Sequence, residues 1–201
     1  FWQIATDINF TNPVNYGRIE ALPEIDYTVK VEVCGLQPNT WYYYNFEAFG
    51  QISTTGRTRT APKGGNDSAR FAIVSCSSYE NGYFNAYKSI AQRNDVDAVI
   101  HLGDYIYEYG TGGYSQGISN RVEDPTNEII SLSDYRIRHS HYKLDNDLKR
   151  LHQVVPFMTV WDDHESANDA WKNGAENHNS GEGPWAARLA NSTKAYQEWM
   201  P

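Results

Sequence analysis

Three short apolar segments most constrain the fold of this chain, because a polar cluster directly follows each of them. The segments lie at 70–74, 98–102 and 157–161, and stretches with helical character separate them. Strands that alternate with helices pair in parallel through crossover connections, so the pattern predicts an α/β architecture. In such folds ligands bind at the carboxyl ends of the strands, where these three clusters lie.

Two stretches, 85–93 and 133–152, have the composition of the connecting helices. In the second, Ser133 is a suitable N-cap and Asp134 suits the positive end of the helix dipole. Leu148 and Leu151 lie three residues apart on one face. We therefore predict one long amphipathic helix over 133–152.

The first 61 residues carry an all-β pattern instead. Residues 26–33 alternate between apolar and polar side chains, which predicts a strand. One side of that strand would carry Tyr27, Val29, Val31 and Val33. Two further strands are predicted at 41–49, which is rich in aromatic residues, and at 52–58.

The turn before the aromatic strand carries a recognisable pattern. Residues 35–43 read Gly-Leu-x-Pro-x-Thr-x-Tyr-Tyr and resemble the E–F corner of fibronectin type III domains, including its tyrosine corner. The resemblance implies an all-β fibronectin III/Ig-like sandwich. About 60 residues are too few for seven strands, so we expect this sandwich to be partial, with its first strands missing.

The change of pattern predicts two domains joined by a linker. Residues 62–69 are rich in Gly, Pro and Ser and separate the all-β region, 1–61, from the α/β region, 70–201. The chain opens in an apparent strand without an initiator Met and stops in an apparent helix. We therefore expect an internal fragment, in which a missing signal peptide carries no information about the compartment.

Composition excludes several classes of protein. The formal net charge of −8 argues against a nucleic-acid-binding surface, which needs a clustered basic face. No apolar run approaches the roughly 20 residues of a transmembrane helix. Two cysteines do not make a disulfide scaffold, and the apolar content is that of a globular chain. The sequence carries no signal for the oligomeric state.

The polar clusters that follow the three segments supply groups that bind metals. They are Ser75-Cys76-Ser77-Ser78, Gly103-Asp104-Tyr105-Ile106-Tyr107-Glu108 and Asp162-Asp163-His164-Glu165. A thiolate, carboxylates, a phenolate and an imidazole at equivalent places on one sheet edge favour a metal site.

These motifs resemble a known family. Gly-Asp-x-x-Tyr after one buried strand and Trp-Asp-Asp-His-Glu after another are similar to motifs of the calcineurin-like metallophosphoesterases. The Ser75-Cys76 pair, together with Gly-Arg-Thr-Arg-Thr-Ala-Pro at 56–62, resembles more closely the PhoD-like alkaline phosphatases. The resemblance covers essentially the whole chain and implies a PhoD-like chain truncated at both ends.

The resemblance implies a role for each matching residue. Cys76 and Tyr107 would be the thiolate and phenolate ligands of Fe³⁺, and Asp104 would bridge two metals. Asp163 stands where most relatives have an Asn that binds the second metal, which the family implies to be Ca²⁺. His164 stands where relatives keep a His that contacts phosphate and assists the leaving group. Asp162 and Asn168 are additional candidate ligands.

The chemistry agrees with those implied roles. Two metals about 3.5–4 Å apart can hold a hydroxide and clamp the oxygens of an in-line phosphoryl displacement. A carboxylate is needed to bridge them, and Gly103 before Asp104 allows a sharp turn. His164 could then act as general acid toward the departing alkoxide. We therefore predict metal-dependent hydrolysis of phosphate mono- or diesters.

Each candidate residue could also have a purely structural role. Cys76 could be a small buried apolar residue or form a disulfide with Cys34, and Asp104 could be a helix N-cap. Tyr107 could be a packing residue. The remaining candidates could be turn or loop residues: Asp162, Asp163 and Asn168.

Other polar residues favour structural roles. His139 and His141 are two positions apart and do not share a helix face, so we interpret them as surface or packing residues. His101 lies in a buried strand and is expected to be a core histidine. Arg136 and Arg138 are predicted on a solvated helix face.

Two alternative functions remain open from the sequence alone. One is a phospholipase D-like phosphodiesterase on the same fold, and the other is a non-catalytic binding protein with a degenerate site. The family resemblance implies a secreted, periplasmic or cell-surface protein. Further ligands in relatives come from later strands, so we expect the isolated 201-residue chain to be nearly inactive.

Overall fold

The fold is taken from a computed structural model of the chain, which describes residues 1–65, 68–115 and 120–201. The predicted linker at 62–69 therefore falls partly outside the described residues. Within them, the order of elements follows the change of pattern that the sequence indicates. An antiparallel sheet comes first, and alternating strands and helices follow it.

The first region forms one five-stranded antiparallel sheet in the described residues. Its strands are β1 (Trp2–Ala5), β2 (Pro13–Gly17), β3 (Trp41–Ala48), β4 (Gln51–Ile52) and β5 (Gly56–Arg59). β3 is central, with β1 on one side and β4 and β5 on the other, and β2 lies outside β1. The Tyr42 hydroxyl accepts a hydrogen bond from the backbone N–H of Gln37 at 2.9 Å. The predicted tyrosine corner requires a bond of this kind to the backbone a few residues upstream, and the fibronectin-like sandwich itself stays a prediction.

The strand predicted at 26–33 is wrong. A short 3-10 helix, Pro23–Ile25, precedes this segment, and none of residues 26–33 belongs to a strand. The alternation holds over 29–33, where Val29, Val31 and Val33 are half-buried and Lys30 is exposed, but Tyr27, predicted on the same side, is exposed. These valines line a cavity of about 1040 Å³ between the two regions. Alternation of apolar and polar residues therefore indicates only that a segment is half-buried. A strand also requires a neighbouring strand with which it can pair.

The second region contains the predicted parallel sheet. Its strands β6 (Phe71–Val74), β7 (Ala98–His101) and β8 (Phe157–Thr159) lie side by side in that order. Both pairings are parallel, with Val74 opposite His101 and His101 opposite Thr159. The carboxyl ends of all three strands therefore meet at one edge, as the sequence predicts.

Four helices surround this sheet in the described part of the chain. They are α1 (Asn85–Ala91), α2 (Leu132–Lys143), α3 (Asn146–Val154) and α4 (Trp185–Trp199). α1 packs against α3, and α2 packs against α4. The main hydrophobic core lies between the helices and the sheet, where Val99, Ile106, Tyr135, Leu148 and Leu151 are fully buried.

The single helix predicted over 133–152 is two helices, and its predicted N-cap is wrong. Ser131, not Ser133, caps α2, and its side chain and that of Asp134 form a reciprocal capping box. The break follows Leu144, where Asp145 accepts hydrogen bonds from the backbone N–H groups of Asp147 and Leu148. Asp145 therefore begins a new helix instead of continuing the old one.

The two regions contact each other through α3 and the strand β5. Arg57 Nε donates to the carbonyl of Val154 at 3.0 Å, and Gln153 donates to the carbonyl of Thr55 at 2.8 Å. Arg59 forms an ion pair with Asp97 near the amino end of β7. This contact lies away from the carboxyl ends of the parallel strands, which carry the candidate site.

Candidate metal centre

The three polar clusters are held together by backbone hydrogen bonds beyond the ends of the strands. The N–H of Cys76 donates to the carbonyl of Gly103 at 3.2 Å, and Ser77 N–H donates to the carbonyl of Asp104 at 2.9 Å. The carboxylate of Glu165 accepts from the N–H groups of Asp104 and Tyr105 at 2.9 and 2.6 Å. Loops that are far apart in sequence are thereby fixed in one place.

Gly103 makes this close approach possible. Its φ is +104°, and a Cβ at this position would lie 2.5 Å from the backbone nitrogen of Asp162. A side chain would therefore be strained by conformation and would also clash with the third loop. The sharp turn that the sequence predicts at Gly103 is present.

Two of the candidate ligands adopt left-handed backbone conformations. Cys76 has φ +58° and Asp104 has φ +54°. Such conformations cost about 1–3 kcal/mol each for residues other than glycine, and they concentrate at functional sites. Here they occur in two different loops, at the two residues whose side chains approach each other.

The candidate ligands converge on the carboxylate of Asp104. Ligand atoms of Asp104, Asp163 and His164 all lie within 4.8 Å of one another. The Cys76 Sγ and the Tyr107 hydroxyl each lie 3.4 Å from Asp104 Oδ2. The structure thus brings five of the seven predicted site residues together.

This group of side chains fits a cation. Asp104 is 7% exposed, and its Oδ1 is buried without a hydrogen-bond partner among the described residues. A buried carboxylate oxygen without a partner is costly, and a bound cation would remove that cost. The thiol, the phenol and the two carboxylates are anionic or become so on deprotonation, which suits the binding of a metal cation.

The electrostatics of the cluster are those of crowded acidic groups. Burial raises the pKa of the Asp104 carboxyl, and the negative charges of Asp163 and Asp162 raise it further, against the opposing effect of His164. Burial also raises the pKa of the Tyr107 phenol well above its usual value, with Asp104 and Cys76 adding to the effect. A positive charge beside these groups would instead lower the pKa of both the Asp104 carboxyl and the Tyr107 phenol.

His164 is oriented by a buried carboxylate. Its Nδ1 lies 2.7 Å from Glu108 Oε2, and its ring stacks on Tyr107 with centroids 4.2 Å apart. Burial lowers the pKa of His164, but the hydrogen bond and charge of Glu108, with Asp104 and Asp163, outweigh it and raise the pKa overall. With Nδ1 engaged, Nε2 is the nitrogen available to the cluster.

Glu108 is held in place on its other side. Its Oε1 accepts from the backbone N–H of Asn168 at 2.7 Å and from the Asn177 side chain at 2.8 Å. Burial raises the pKa of Glu108, but these bonds and that of His164 lower it overall. Glu108 is therefore a charged group that fixes the ring of His164.

The remaining two predicted ligands take part in local hydrogen bonds. Asp162 Oδ1 accepts from the N–H of Asp163 at 3.0 Å and caps the 3-10 helix Asp163–Glu165. The Asn168 side chain donates to Glu176 at 3.0 Å. For both residues, metal binding stays a prediction.

Sequence reasoning missed the roles of Glu108 and Glu165. Glu165 is 1% exposed, and it also accepts from the N–H of Asp162 at 2.7 Å. Burial raises its pKa to about 7, against three backbone hydrogen bonds that lower it. Both residues belong to the polar clusters that follow buried strands. The only sequence signal for their roles is that acidic residues in such positions are rarely buried without a partner.

The prediction of a solvated face for Arg138 is wrong. Arg138 is fully buried and donates to the backbone carbonyls of the loop that carries the site. These carbonyls belong to Tyr107, Tyr109, Asp124, Pro125 and Asn127. Five backbone partners replace the water that a guanidinium would lose on burial. Arg136 is half-buried and pairs with Glu198 at 2.7 Å instead of being solvated.

The other residues considered in the sequence have structural positions. His101 is fully buried and lies 3.1 Å from the hydroxyls of Ser77 and Tyr87, as expected for a core histidine. His139 is fully buried and His141 is half-buried, and both pack within the fold. Cys76 is exposed and both cysteines are free, so Cys76 is neither a core residue nor part of a disulfide.

Fold and site together define a class: an α/β protein with a cluster of potential metal ligands at the carboxyl ends of a parallel sheet. Comparison with known proteins makes the assignment specific. The chain matches the PhoD-like phosphatase family over residues 71–201 and the N-terminal domain of PhoD-like phosphatases over residues 1–62. The chain belongs to the PhoD-like phosphatase family.

Individual relatives agree. The chain is 41% identical over 202 aligned residues to alkaline phosphatase D of Bacillus subtilis (strain 168), covering 100% of this chain and 34% of that protein. It is also similar to a solved structure of PhoD, with a TM-score of 0.91 and 40% identity, covering 100% of this chain and 38% of the other. The chain thus spans little more than a third of the length of these relatives.

Proposed function

We propose that the complete protein containing this chain hydrolyses phosphate esters at a metal centre built around Asp104. The observation that carries the proposal is the convergence of Cys76, Tyr107, Asp163 and His164 on one buried carboxylate. Membership of the PhoD-like phosphatase family supports the reaction class. Because the chain spans about a third of its relatives, activity is proposed for the complete protein.

We propose that Cys76, Asp104 and Tyr107 hold Fe³⁺, and that Asp163, with Asp162 and Asn168 as further candidates, holds Ca²⁺. Asp104 contacts Cys76 and Tyr107 and shares a cluster with Asp163, so it is the residue suited to bridge two ions. Bound there, the two ions would neutralise phosphate charge and activate water as a nucleophile. The support is the anionic donor set together with the unpartnered Oδ1 of Asp104.

His164 supplies the proton in this proposal. Its contact with Glu108 at 2.7 Å fixes the ring, and the hydrogen bond and charge of Glu108 favour the protonated form of His164. A protonated imidazole that faces the ligand cluster can transfer a proton to the departing alkoxide oxygen. Glu108 then stabilises the positive charge on the ring before transfer, as a positioning residue.

The test is the variant His164→Ala in the metal-loaded complete protein. Turnover of an alkyl phosphate such as glycerol phosphate, whose alkoxide must be protonated as it leaves, should fall by about 10²–10⁴-fold, the range of general acid catalysis, while metal content stays at the wild-type level. The control is His141→Ala, since His141 is a half-buried histidine of α2 outside the ligand cluster, and it should leave both quantities unchanged. Unchanged turnover in His164→Ala, or loss of metal together with turnover, would exclude the acid role of His164.

Two alternatives remain testable. A relative preference for bis-4-nitrophenyl phosphate over the monoester would favour a phospholipase D-like phosphodiesterase. A complete protein without metal and without a phenolate-to-iron absorption band would favour a binding protein with a degenerate site. The thiol, phenol, carboxylate and imidazole groups around Asp104 are evidence against a degenerate metal site.

We further propose the division of the chain into a partial fibronectin-like domain at 1–61, a linker at 62–69 and a metallophosphatase domain from residue 70. The tyrosine-corner bond of Tyr42 and the family match over 1–62 support the first domain. We propose an exported protein on the basis of the family resemblance. In the described residues, no helix combines the length and apolar character needed to cross a membrane.

A further inference from the structure

A cavity of about 350 Å³ lies directly beside the candidate metal centre. Its lining includes Asp162 and Asp163, three tryptophans (Trp161, Trp171 and Trp185) and Lys172. The volume is at the lower end of the range for small-molecule sites, which is roughly 300–1,000 Å³. A phosphate group held near Asp163 would place its ester substituent within reach of this cavity.

The outer tryptophan is fixed before any ligand arrives. Trp171 and Gly174 exchange two backbone hydrogen bonds, of 2.8 and 3.3 Å, and close a tight turn. A Cβ on Gly174 would lie 2.7 Å from the Trp171 ring, so the indole rests directly on that glycine. The ring is nevertheless 57% exposed. An exposed aromatic ring on a rigid turn is suited to stacking, because little side-chain entropy is lost on binding.

The inner tryptophan adds little contact area. Trp185 also lines the cavity but is only 9% exposed. Lys172 is exposed at the rim, and its positive charge favours an anionic ligand in an otherwise acidic neighbourhood.

We infer that this cavity is a specificity subsite that binds the planar aromatic ring of the substrate's leaving group, such as a nitrophenyl ring or the base of a nucleoside. The inference rests on the proposed phosphoesterase function, because it assigns the alcohol side of the substrate at the same site. Trp171 stacks on the ring, and Asp163 lies on the phosphate side. Trp171 is thus a binding residue that distinguishes aromatic from small aliphatic esters.

The experiment measures binding of two phosphonates that cannot be hydrolysed, 4-nitrophenylphosphonate and ethylphosphonate. Both are titrated calorimetrically into the metal-loaded complete protein. Stacking on an indole predicts that the wild type binds the aromatic phosphonate about 10-fold more tightly. This preference should fall to about 2-fold or less in Trp171→Ala, and Trp171→Phe should restore part of it.

A matched control and a second variant keep the result interpretable. Tyr16→Ala removes another exposed aromatic ring, 67% exposed, from the antiparallel sheet and should leave the preference unchanged. If Trp171→Ala does not fold, Ala170→Phe tests the same cavity by filling it, because Ala170 lines it. That variant should also lose the preference for the aromatic phosphonate.

The outcomes separate the inference from the proposed function. If both phosphonates bind and the preference persists in Trp171→Ala and Ala170→Phe, the subsite is overturned while the phosphoesterase proposal stands. If the metal-loaded wild type binds neither phosphonate, the phosphoesterase proposal fails and the subsite fails with it. Loss of preference confined to the two cavity variants supports the subsite.

Discussion

The two regions of this molecule differ in how their sequences relate to their structures. In the antiparallel region, the fully buried side chains among the described residues are few: Ile4, Ala5, Tyr42 and Asn45. In the parallel-sheet region, a continuous core joins the sheet to the helices, and the strand ends gather the candidate ligands. The hydrophobic pattern of the sequence predicts strands more reliably in the parallel-sheet region. A shift of strand register in that region would move apolar side chains out of the core.

The largest expected difference concerns two glycines with positive φ, one in each region. Gly103→Ala should lower the free energy of unfolding by about 3–5 kcal/mol, because the new Cβ meets the backbone of Asp162 in addition to the strained φ. Gly50→Ala has the same kind of backbone, φ +73°, with nothing within 4 Å of the new Cβ. It should cost about 1 kcal/mol.

Urea unfolding of both variants measures this difference. Similar losses of stability at Gly103 and Gly50 would mean that the three loops do not approach each other as closely as the structure indicates. The metal content of the Gly103→Ala variant should also fall. The new Cβ would displace Asp162 and the neighbouring Asp104, which are candidate metal ligands.

A smaller difference is expected between two tyrosine hydroxyls. The Tyr135 hydroxyl donates to the carbonyl of Ser166 at 2.5 Å and accepts from Arg188 Nε at 3.1 Å, and all three residues are buried. Tyr135→Phe should therefore cost about 2–3 kcal/mol, since it leaves two buried groups without this partner. Tyr42→Phe removes one hydrogen bond, from the exposed turn at Gln37, and should cost about 1 kcal/mol.

Thermal or urea unfolding of the two variants tests the comparison. An equal or larger loss for Tyr42→Phe would show that the tyrosine corner carries more of the stability than the buried network around Arg188. It would also show that the antiparallel region tolerates the loss of a hydrogen bond less well than its small core suggests.

A third effect, on the pH dependence of stability, concerns Lys143, which lies at the boundary between the regions. Burial lowers its pKa to about 7, and Lys30 adds to the effect. Its Nζ contacts the Tyr105 hydroxyl at 3.1 Å. Between pH 7 and about 10 the unfolded chain keeps the proton that the folded protein has lost, so stability should rise with pH.

Lys143→Met removes this dependence. The variant should be more stable than the wild type at pH 7, and the difference should shrink toward pH 10, because the unfolded lysine then also loses the proton that the folded protein has given up. Unfolding midpoints measured across this range test the expectation. A difference that stays constant or grows with pH would show that Lys143 is charged and solvated in the folded protein.

Much of the second region can be predicted from sequence, and particular residues show why. The apolar segments locate the strands at 71–74, 98–101 and 157–159 to within two residues, because short apolar runs bounded by polar clusters are typical of buried parallel strands. The convergence of Cys76, Asp104 and His164 follows from the meeting of parallel strand ends at one edge.

Other features depend on partners that sequence does not reveal. The segment 26–33 alternates like a strand but has no strand beside it in the described residues. The sequence pattern places Asp145 inside a helix, yet its side chain caps a new one. Arg138 is polar and is nevertheless buried, because backbone carbonyls accept its N–H groups. Glu108 and His164 are far apart in sequence, and only the fold brings them together.

The most direct test of the proposed metal centre is the metal content of Asp104→Asn in the complete protein, measured by elemental analysis beside the wild type. Asn keeps the size of the side chain but removes the charge on which Cys76, Tyr107, Asp163 and His164 converge. We expect the wild type to hold metal and the variant to lose at least half of it, together with phosphoester hydrolysis. A variant that retains the full metal content and wild-type turnover would contradict a metal centre built around Asp104.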